Sequence, residues 1–212
     1  MTHFHKDHVG AIRPLLERLP QVPVILTRNI IIQEFRALIL AGAKNKYIKG
    51  TVLAQNIFRN IKRIGNKVQR VKEGDILYDK NNPCLKVIYP SDLIIDHYKS
   101  KYEKDFNKWV VQNEKKDLKL SSDFNHQIIV LELSTPKFDM LIGGDFVKWH
   151  NNSNGLEYVL NKLIDSAKKF QFYKVPHHGS HTGYSKLIIQ ILDSNVKKLI
   201  TTAWFEDSIC KL

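Results

Sequence analysis

The sequence predicts a layered α/β domain, because short β-branched and apolar runs alternate with segments whose apolar residues follow helical spacing. Hydrophobic residues make up 43% of the 212 residues and charged residues 25%, a balance that is ordinary for a globular chain with a sizeable core. This length suits one domain over residues 1–212. No apolar run reaches the roughly 20 residues of a membrane helix, and the N-terminus lacks the apolar core of a signal peptide. We therefore expect a cytoplasmic protein without a membrane segment.

The first part of the chain predicts a helix, a strand and a second helix. Residues 9–19 carry apolar side chains at helical spacing, and Pro20 ends that helix. The β-branched run at 22–26 predicts a short strand. Asn29 suits the N-cap of a helix that continues towards Gly42.

The middle of the chain is its most basic and least regular part. Residues 44–75 mix helical and strand patterns, so we do not divide them further. A strand is predicted at 84–89, after a run of turn-forming residues at 79–83. Residues 93–118 predict a charged helix packed on a surface. The region 44–120 could therefore be an insertion or a lid rather than part of the core.

The C-terminal part has the clearest alternation. Its first two strands are separated by the turn-forming residues 134–137, which predict a hairpin. The elements predicted in this part are strands at 127–133, 138–142, 170–175 and 197–202, with helices at 155–168 and 184–192.

The segment Thr2-His3-Phe4-His5-Lys6-Asp7-His8 contains four potential metal ligands. In an extended loop His3 and His5 point to the same side, since side chains alternate, so both can bind one metal ion. Asp7 and His8 follow and can bind a second ion. Imidazole and carboxylate together suit zinc, and manganese or iron would also be compatible.

The pattern His-x-His-x-Asp-His followed by Val-Gly resembles the signature loop of metallo-β-lactamase-fold hydrolases. The resemblance implies an αββα sandwich and two divalent metal ions, zinc in the first place or manganese. It also implies a third histidine, an aspartate after an apolar strand, and a last histidine after another strand. These positions are occupied by His126, Asp145 and His178. Asn125 is the alternative to His126, and His177 is the alternative to His178.

The segment Lys174-Val175-Pro176-His177-His178-Gly179-Ser180 narrows the resemblance. It looks like the subgroup that includes the nuclease-like domain of bacterial DNA-uptake (competence) channel proteins and phosphodiesterase relatives. The resemblance implies that Lys174, His177 and Ser180 lie near the metals and contact the substrate, and that Asp7 orients or deprotonates the attacking water. The family has strands before its signature loop, so the resemblance also implies an incomplete sandwich whose leading N-terminal strands are missing. Such an incomplete sandwich would result from a fragment, from a misplaced start codon, or from a half-domain that pairs with another chain.

These features favour metal-dependent hydrolysis of a phosphodiester, either nucleic acid or a smaller molecule. The net charge of +12 is compatible with a polyanionic substrate, although the basic residues form no compact motif. A small-molecule esterase, lactonase or amidase of the same fold is the alternative enzyme, because a fold does not choose its substrate. The alternative that is not an enzyme is a truncated, non-catalytic paralogue. Oligomeric state does not follow from the sequence.

The metal-ligand prediction can be tested by elemental analysis of the purified protein. It should contain close to two transition-metal ions per chain, as a dinuclear site requires. The double variant His3→Ala/His5→Ala should lose most of one ion, because both imidazoles are expected on the same metal. The control His97→Ala/His150→Ala removes two histidines outside the predicted set and should keep the full content. An unchanged metal content in the first variant would show that the assignment is wrong.

Overall fold

The computed structural model describes residues 12–19, 21–27, 68–79, 83–111, 128–148 and 155–201. The chain divides into two compact units, residues 1–73 with 90–129 and residues 74–89 with 130–212. Both units contain helices and strands, so the mixed α/β class predicted from the sequence is confirmed. The expectation of one domain over 1–212, with an insertion or lid over 44–120, stays a prediction.

The first unit contains a parallel pair of strands. Helix α1 (Ile12–Arg18) lies within the helix predicted from the sequence, and strand β1 (Val24–Thr27) follows it, as predicted. Strand β1 pairs in parallel with β2 (Val68–Val71), which lies in the region that the sequence left undivided. Val24 and Val71 of this pair are buried, because β-branched side chains pack well on a pleated surface.

Helix α2 (Asp92–Val111) also belongs to the first unit. It begins with Asp92, whose carboxylate is favourable at the positive end of the helix dipole. Ile94, Ile95 and Tyr98 are buried, so the charged helix predicted from the sequence has an apolar side in its first turns. Neither α2 nor any other helix among the described residues combines the length and the apolar character needed to cross a membrane.

The second unit contains a six-stranded mixed sheet, and its strands lie side by side in chain order. They are β3 (Ile76–Asp79), β4 (Cys84–Tyr89), β5 (Val130–Ser134), β6 (Asp139–Ile142), β7 (Phe172–Lys174) and β8 (Lys198–Ile200). Strands β3 to β6 are antiparallel neighbours, whereas β6, β7 and β8 are parallel. A parallel pair needs a crossover connection. Helices α3 (Leu156–Asp165) and α4 (Ile188–Ile191) lie in the two crossovers.

Helix α3 provides much of the core of the second unit. Its buried residues Leu156, Val159, Leu160 and Leu163 follow the i, i+3, i+4, i+7 spacing of one helix face. Burying each such side chain stabilises the fold by about 1.5–3 kcal/mol. This face confirms the helix that the sequence predicted over 155–168.

The helix predicted over 184–192 is wrong for most of its length, because only α4 is helical. Tyr184 has an extended backbone, and Leu192 leaves the helix to form an isolated bridge with Phe170. The N–H of Phe170 donates to the carbonyl of Ile191 at 2.9 Å. Hydrogen bonds between distant segments therefore replace the local bonds that the helical pattern favoured.

Lys168 connects the chain after α3 to the antiparallel part of the sheet. Its Nζ donates to Asp139 Oδ1 at 2.9 Å and to Ser134 Oγ at 3.1 Å, and it lies 3.3 Å from Glu132 Oε1. Burial by itself would lower the pKa of Lys168. Hydrogen bonding to Asp139 and the charges of Glu132 and Asp139 outweigh burial and raise that pKa above 10.5.

Replacing Lys168 with Met should lower the free energy of unfolding by about 1–3 kcal/mol at neutral pH, because two partly buried carboxylates lose their shared cation. Urea denaturation followed by circular dichroism measures this change. The matched control is Lys72→Met. It removes the ion pair between Lys72, whose side chain is 31% exposed, and Asp92, whose side chain is 63% exposed. This exposed pair should contribute at most about 1 kcal/mol to the free energy of unfolding.

The pH dependence of the same variant gives a second readout. Since the folded pKa of Lys168 lies above 10.5, its stabilising contribution is fully present below pH 10.5 and is lost as the pH rises through the folded pKa. The difference between wild type and Lys168→Met should therefore shrink above pH 10.5. A difference that widens there would contradict the predicted ion-pair contribution.

Candidate active site

Three parallel strands end at one edge of the sheet of the second unit, and predicted site residues follow two of them. Asp145 comes shortly after β6, and His177 and His178 come shortly after β7. Thr201 directly follows β8. Loops at the carboxyl ends of parallel strands converge, and in α/β sheets this edge is where ligands usually bind.

The carboxylate of Asp145 and the imidazole of His178 lie next to each other at this edge. Asp145 Oδ2 is 3.5 Å from His178 Nε2, and the two side chains are 4% and 18% exposed. This distance is longer than the about 2.7–2.9 Å of a charge-assisted hydrogen bond. It is close to the about 3.4 Å that separates two donor atoms of a tetrahedral zinc with bonds of about 2.0–2.1 Å. The pair therefore fits two donors to one divalent cation.

A tight turn at Gly143-Gly144 positions Asp145. Gly144 has a φ of +49°, a conformation that glycine adopts without steric cost. The N–H of Phe146 donates to the carbonyl of Gly143 at 3.0 Å and closes the turn. The carbonyl of Gly144 accepts a hydrogen bond from the N–H of His177 at 3.1 Å. This bond joins the loop after β6 to the loop after β7.

The backbone at His177 and His178 is left-handed, with φ of +47° and +54°. This region is uncommon for residues with a side chain, and each such position stores about 1–3 kcal/mol of strain. The turn is closed by bonds from the N–H of Gly179 to the carbonyl of Pro176 at 3.0 Å and from the N–H of Ser180 to the carbonyl of His177 at 2.9 Å. Strain of this kind clusters at functional sites, which supports this loop as the candidate site.

Two hydroxyl groups hold the imidazole of His177. Its Nδ1 is 2.6 Å from Thr182 Oγ1 and 2.7 Å from Ser180 Oγ, and the two hydroxyl oxygens are 2.8 Å apart. Nδ1 is therefore the ring nitrogen through which the two hydroxyl groups orient His177. Sequence analysis predicted Ser180 but missed Thr182, although a second hydroxyl two residues further along a glycine-containing turn was a usable signal.

Lys174, at the end of β7, is half-buried. Burial lowers the pKa of Lys174, and the negative charge of Asp145 partly opposes this effect. Lys174 ends β7 at the same edge of the sheet from which the loop of His177 and His178 starts. An ammonium in such a position suits an anionic substrate group such as a phosphate.

The other predicted metal ligands, His3, His5, Asp7, His8 and His126, lie outside the described residues. Within the part of the chain that the structure describes, no three or more His, Cys, Asp or Glu side chains form a group that could hold a metal ion. Asp145 and His178 are two members of the predicted donor set. The remaining members stay predictions.

Comparison with protein-family models gives no match to this chain, and comparison with curated proteins gives no match either. The family resemblance carried by the signature pattern therefore stays a proposal.

Gly183 allows the close packing beneath His177, because it has no Cβ. A Cβ at Gly183 would lie 2.6 Å from the carbonyl oxygen of Pro176 and 3.1 Å from His177 Cβ. The variant Gly183→Ala should lose about 1–3 kcal/mol of stability through overpacking. It should also shift the NMR signals of the His177 and His178 rings.

The matched control for Gly183→Ala is Gly74→Ala. A Cβ at Gly74 meets no atom within 4 Å, while the φ of +93° strains any other residue. This control should lose stability without shifting the histidine signals. Unshifted histidine signals in Gly183→Ala as well would contradict the proposed contact.

Proposed function

We propose that this chain is a metal-dependent hydrolase of the metallo-β-lactamase fold that acts on phosphodiester bonds. The observation that carries the proposal is the meeting of a buried carboxylate, Asp145, with the imidazole of His178 at the carboxyl edge of the sheet. The mixed sheet, with helices in its parallel crossovers, supports the proposal at the level of fold class. The signature pattern of the sequence supports it at the level of family.

Asp145 and His178 would hold divalent metal ions, zinc or manganese, and the sequence predicts the further donors His3, His5, Asp7, His8 and His126. When bound, two such ions supply a nucleophile from water and neutralise charge on the substrate oxygens. A carboxylate has two oxygens, so Asp145 is the residue that can contact both ions. Its burial keeps bulk water away, which strengthens every electrostatic interaction at this position.

Lys174 favours a phosphodiester over the neutral substrates of the alternative enzymes. A phosphodiester carries a full negative charge, whereas a lactone, an ester or an amide is neutral before it reacts. An ammonium group beside the site stabilises the bound phosphodiester and gives little to a neutral substrate. His177 is held through Nδ1 by the hydroxyl groups of Ser180 and Thr182, which fixes the orientation of its ring.

Replacing Asp145 with Asn tests the proposal directly. Hydrolysis of bis(p-nitrophenyl) phosphate with added manganese or zinc should fall by at least about 100-fold, because an amide cannot offer two anionic oxygens. The thermal unfolding midpoint should stay within a few degrees. The control is Asp165→Asn, which makes the same chemical change at an exposed position of α3 and should keep full activity.

Three outcomes would count against the proposal. Activity of Asp145→Asn within a factor of two of wild type would exclude the metal-holding role. Turnover of lactones or β-lactams without phosphodiester hydrolysis would favour the small-molecule alternative. A metal-loaded wild type that hydrolyses none of these substrates would favour the non-catalytic alternative.

A further inference from the structure

An exposed aromatic residue directly follows Gly183, which packs against His177. The Tyr184 side chain directly follows the turn His181–Gly183, and the residue is 50% exposed. Its backbone is extended, with a φ of −105° and a ψ of 137°, and its N–H donates to the carbonyl of His181 at 3.3 Å. Half of the residue faces solvent, so it can contact a ligand.

A lysine accompanies this ring. Lys148 Nζ lies 5.9 Å from the centroid of the Tyr184 ring, close to the roughly 6 Å limit of a cation–π contact. The N–H of Lys148 donates to the carbonyl of Thr182 at 2.8 Å, and its backbone forms an isolated bridge with Gly155. The lysine is therefore tied to the site turn by its backbone, while its long side chain reaches the ring.

Short contacts connect Lys148 and the residue before Tyr184 to His177. Thr182, which accepts the hydrogen bond from Lys148, also places its hydroxyl 2.6 Å from His177 Nδ1. Gly183 packs against Pro176 and His177, and Tyr184 is the next residue, about 3.8 Å further along the backbone. Tyr184 and Lys148 therefore each lie one contact away from residues that touch His177.

We propose that Tyr184 and Lys148 form a nucleobase subsite, and that the substrate is single-stranded nucleic acid. The base next to the scissile phosphate stacks on Tyr184, and Lys148 contacts the flanking phosphate. This inference rests on the proposed function, which it deepens by naming the substrate class. An aromatic platform beside a cation is the combination by which proteins bind single strands without reading their sequence.

Two physical arguments favour this occupant. Base stacking on an exposed aromatic ring is stronger than an exposed cation–π contact at the limit of its range, so a base can displace the ammonium from the ring. The displaced ammonium then meets the phosphate that the base brings with it. The net charge of +12 adds a long-range attraction for a polyanion. Paired bases inside a duplex cannot stack on a side chain, which favours single strands.

The test is the binding of a fluorescein-labelled oligothymidylate, followed by fluorescence anisotropy with metal-free protein in EDTA, so that the readout does not depend on catalysis. We expect Tyr184→Ala to weaken binding by about tenfold, as loss of one stacked base predicts. The matched variant Tyr184→Phe keeps the ring and should bind within a factor of two of wild type. Lys148→Ala should weaken binding and reduce its salt dependence by about one phosphate contact. Tyr184→Leu gives the same test if the alanine variant does not fold.

Two further oligonucleotides decide what the ring recognises. The first is an abasic oligonucleotide of the same length, and the second is the same sequence in a duplex. Both should bind wild type more weakly than the single strand does. The Tyr184→Ala substitution should leave the affinity for both of them unchanged. If Tyr184→Ala weakened the binding of abasic and normal strands equally, the stacking role would be overturned.

The proposed function and the subsite can fail separately. Wild-type hydrolysis of bis(p-nitrophenyl) phosphate together with unchanged binding of oligothymidylate by Tyr184→Ala would overturn the subsite and leave the hydrolase proposal standing. Loss of binding in Tyr184→Ala without any hydrolysis by the metal-loaded wild type would support the base-binding subsite and overturn the hydrolase.

Discussion

The parallel pairing of β6 with β7 is the constraint on which the candidate active site depends. Ile142 and Lys174 are register partners at the ends of these strands, so the two following loops start at the same edge. An antiparallel pair would send the loops to opposite edges, and Asp145 could not meet His178. The pairing in turn requires a crossover, which α3 provides with its buried leucines and valine. The apolar face of α3 thus stabilises the strand pairing that positions the site, although Asp145 and His178 do not lie on this helix.

The second constraint is the left-handed backbone of His177 and His178. Two successive strained residues remain stable only when their surroundings determine their conformation. Backbone bonds close the turn, the Ser180 and Thr182 hydroxyls hold one ring, and Gly183 permits the close approach below. A functional imidazole must be held within roughly half an ångström of its working position. The strain and the contacts that offset it are consistent with such a requirement.

Two lysines of the second unit illustrate how surroundings decide the behaviour of one residue type. Lys168 is close to Glu132 and Asp139, and their combined effect raises its pKa in spite of burial. Lys174 is half-buried, and here burial outweighs the opposing charge of Asp145 and lowers the pKa. The first lysine is compensated by carboxylates of its own fold and contributes to stability. For Lys174, the charge of Asp145 only partly compensates the effect of burial.

The sequence by itself determined the α/β class, because apolar periodicity is a local property: the strand predicted at 84–89 has the observed bounds. The resemblance of its signature pattern also selected Asp145 and His178, since Gly-Gly-Asp and His-His-Gly follow apolar runs at the positions that the resemblance implies. Only the tertiary structure decided the order of the strands, the 3.5 Å separation of these two side chains and the contact of Thr182 with the site. It also shortened the predicted last helix to α4. These features depend on hydrogen bonds and packing between segments that are distant in sequence, and such contacts override local helical propensity.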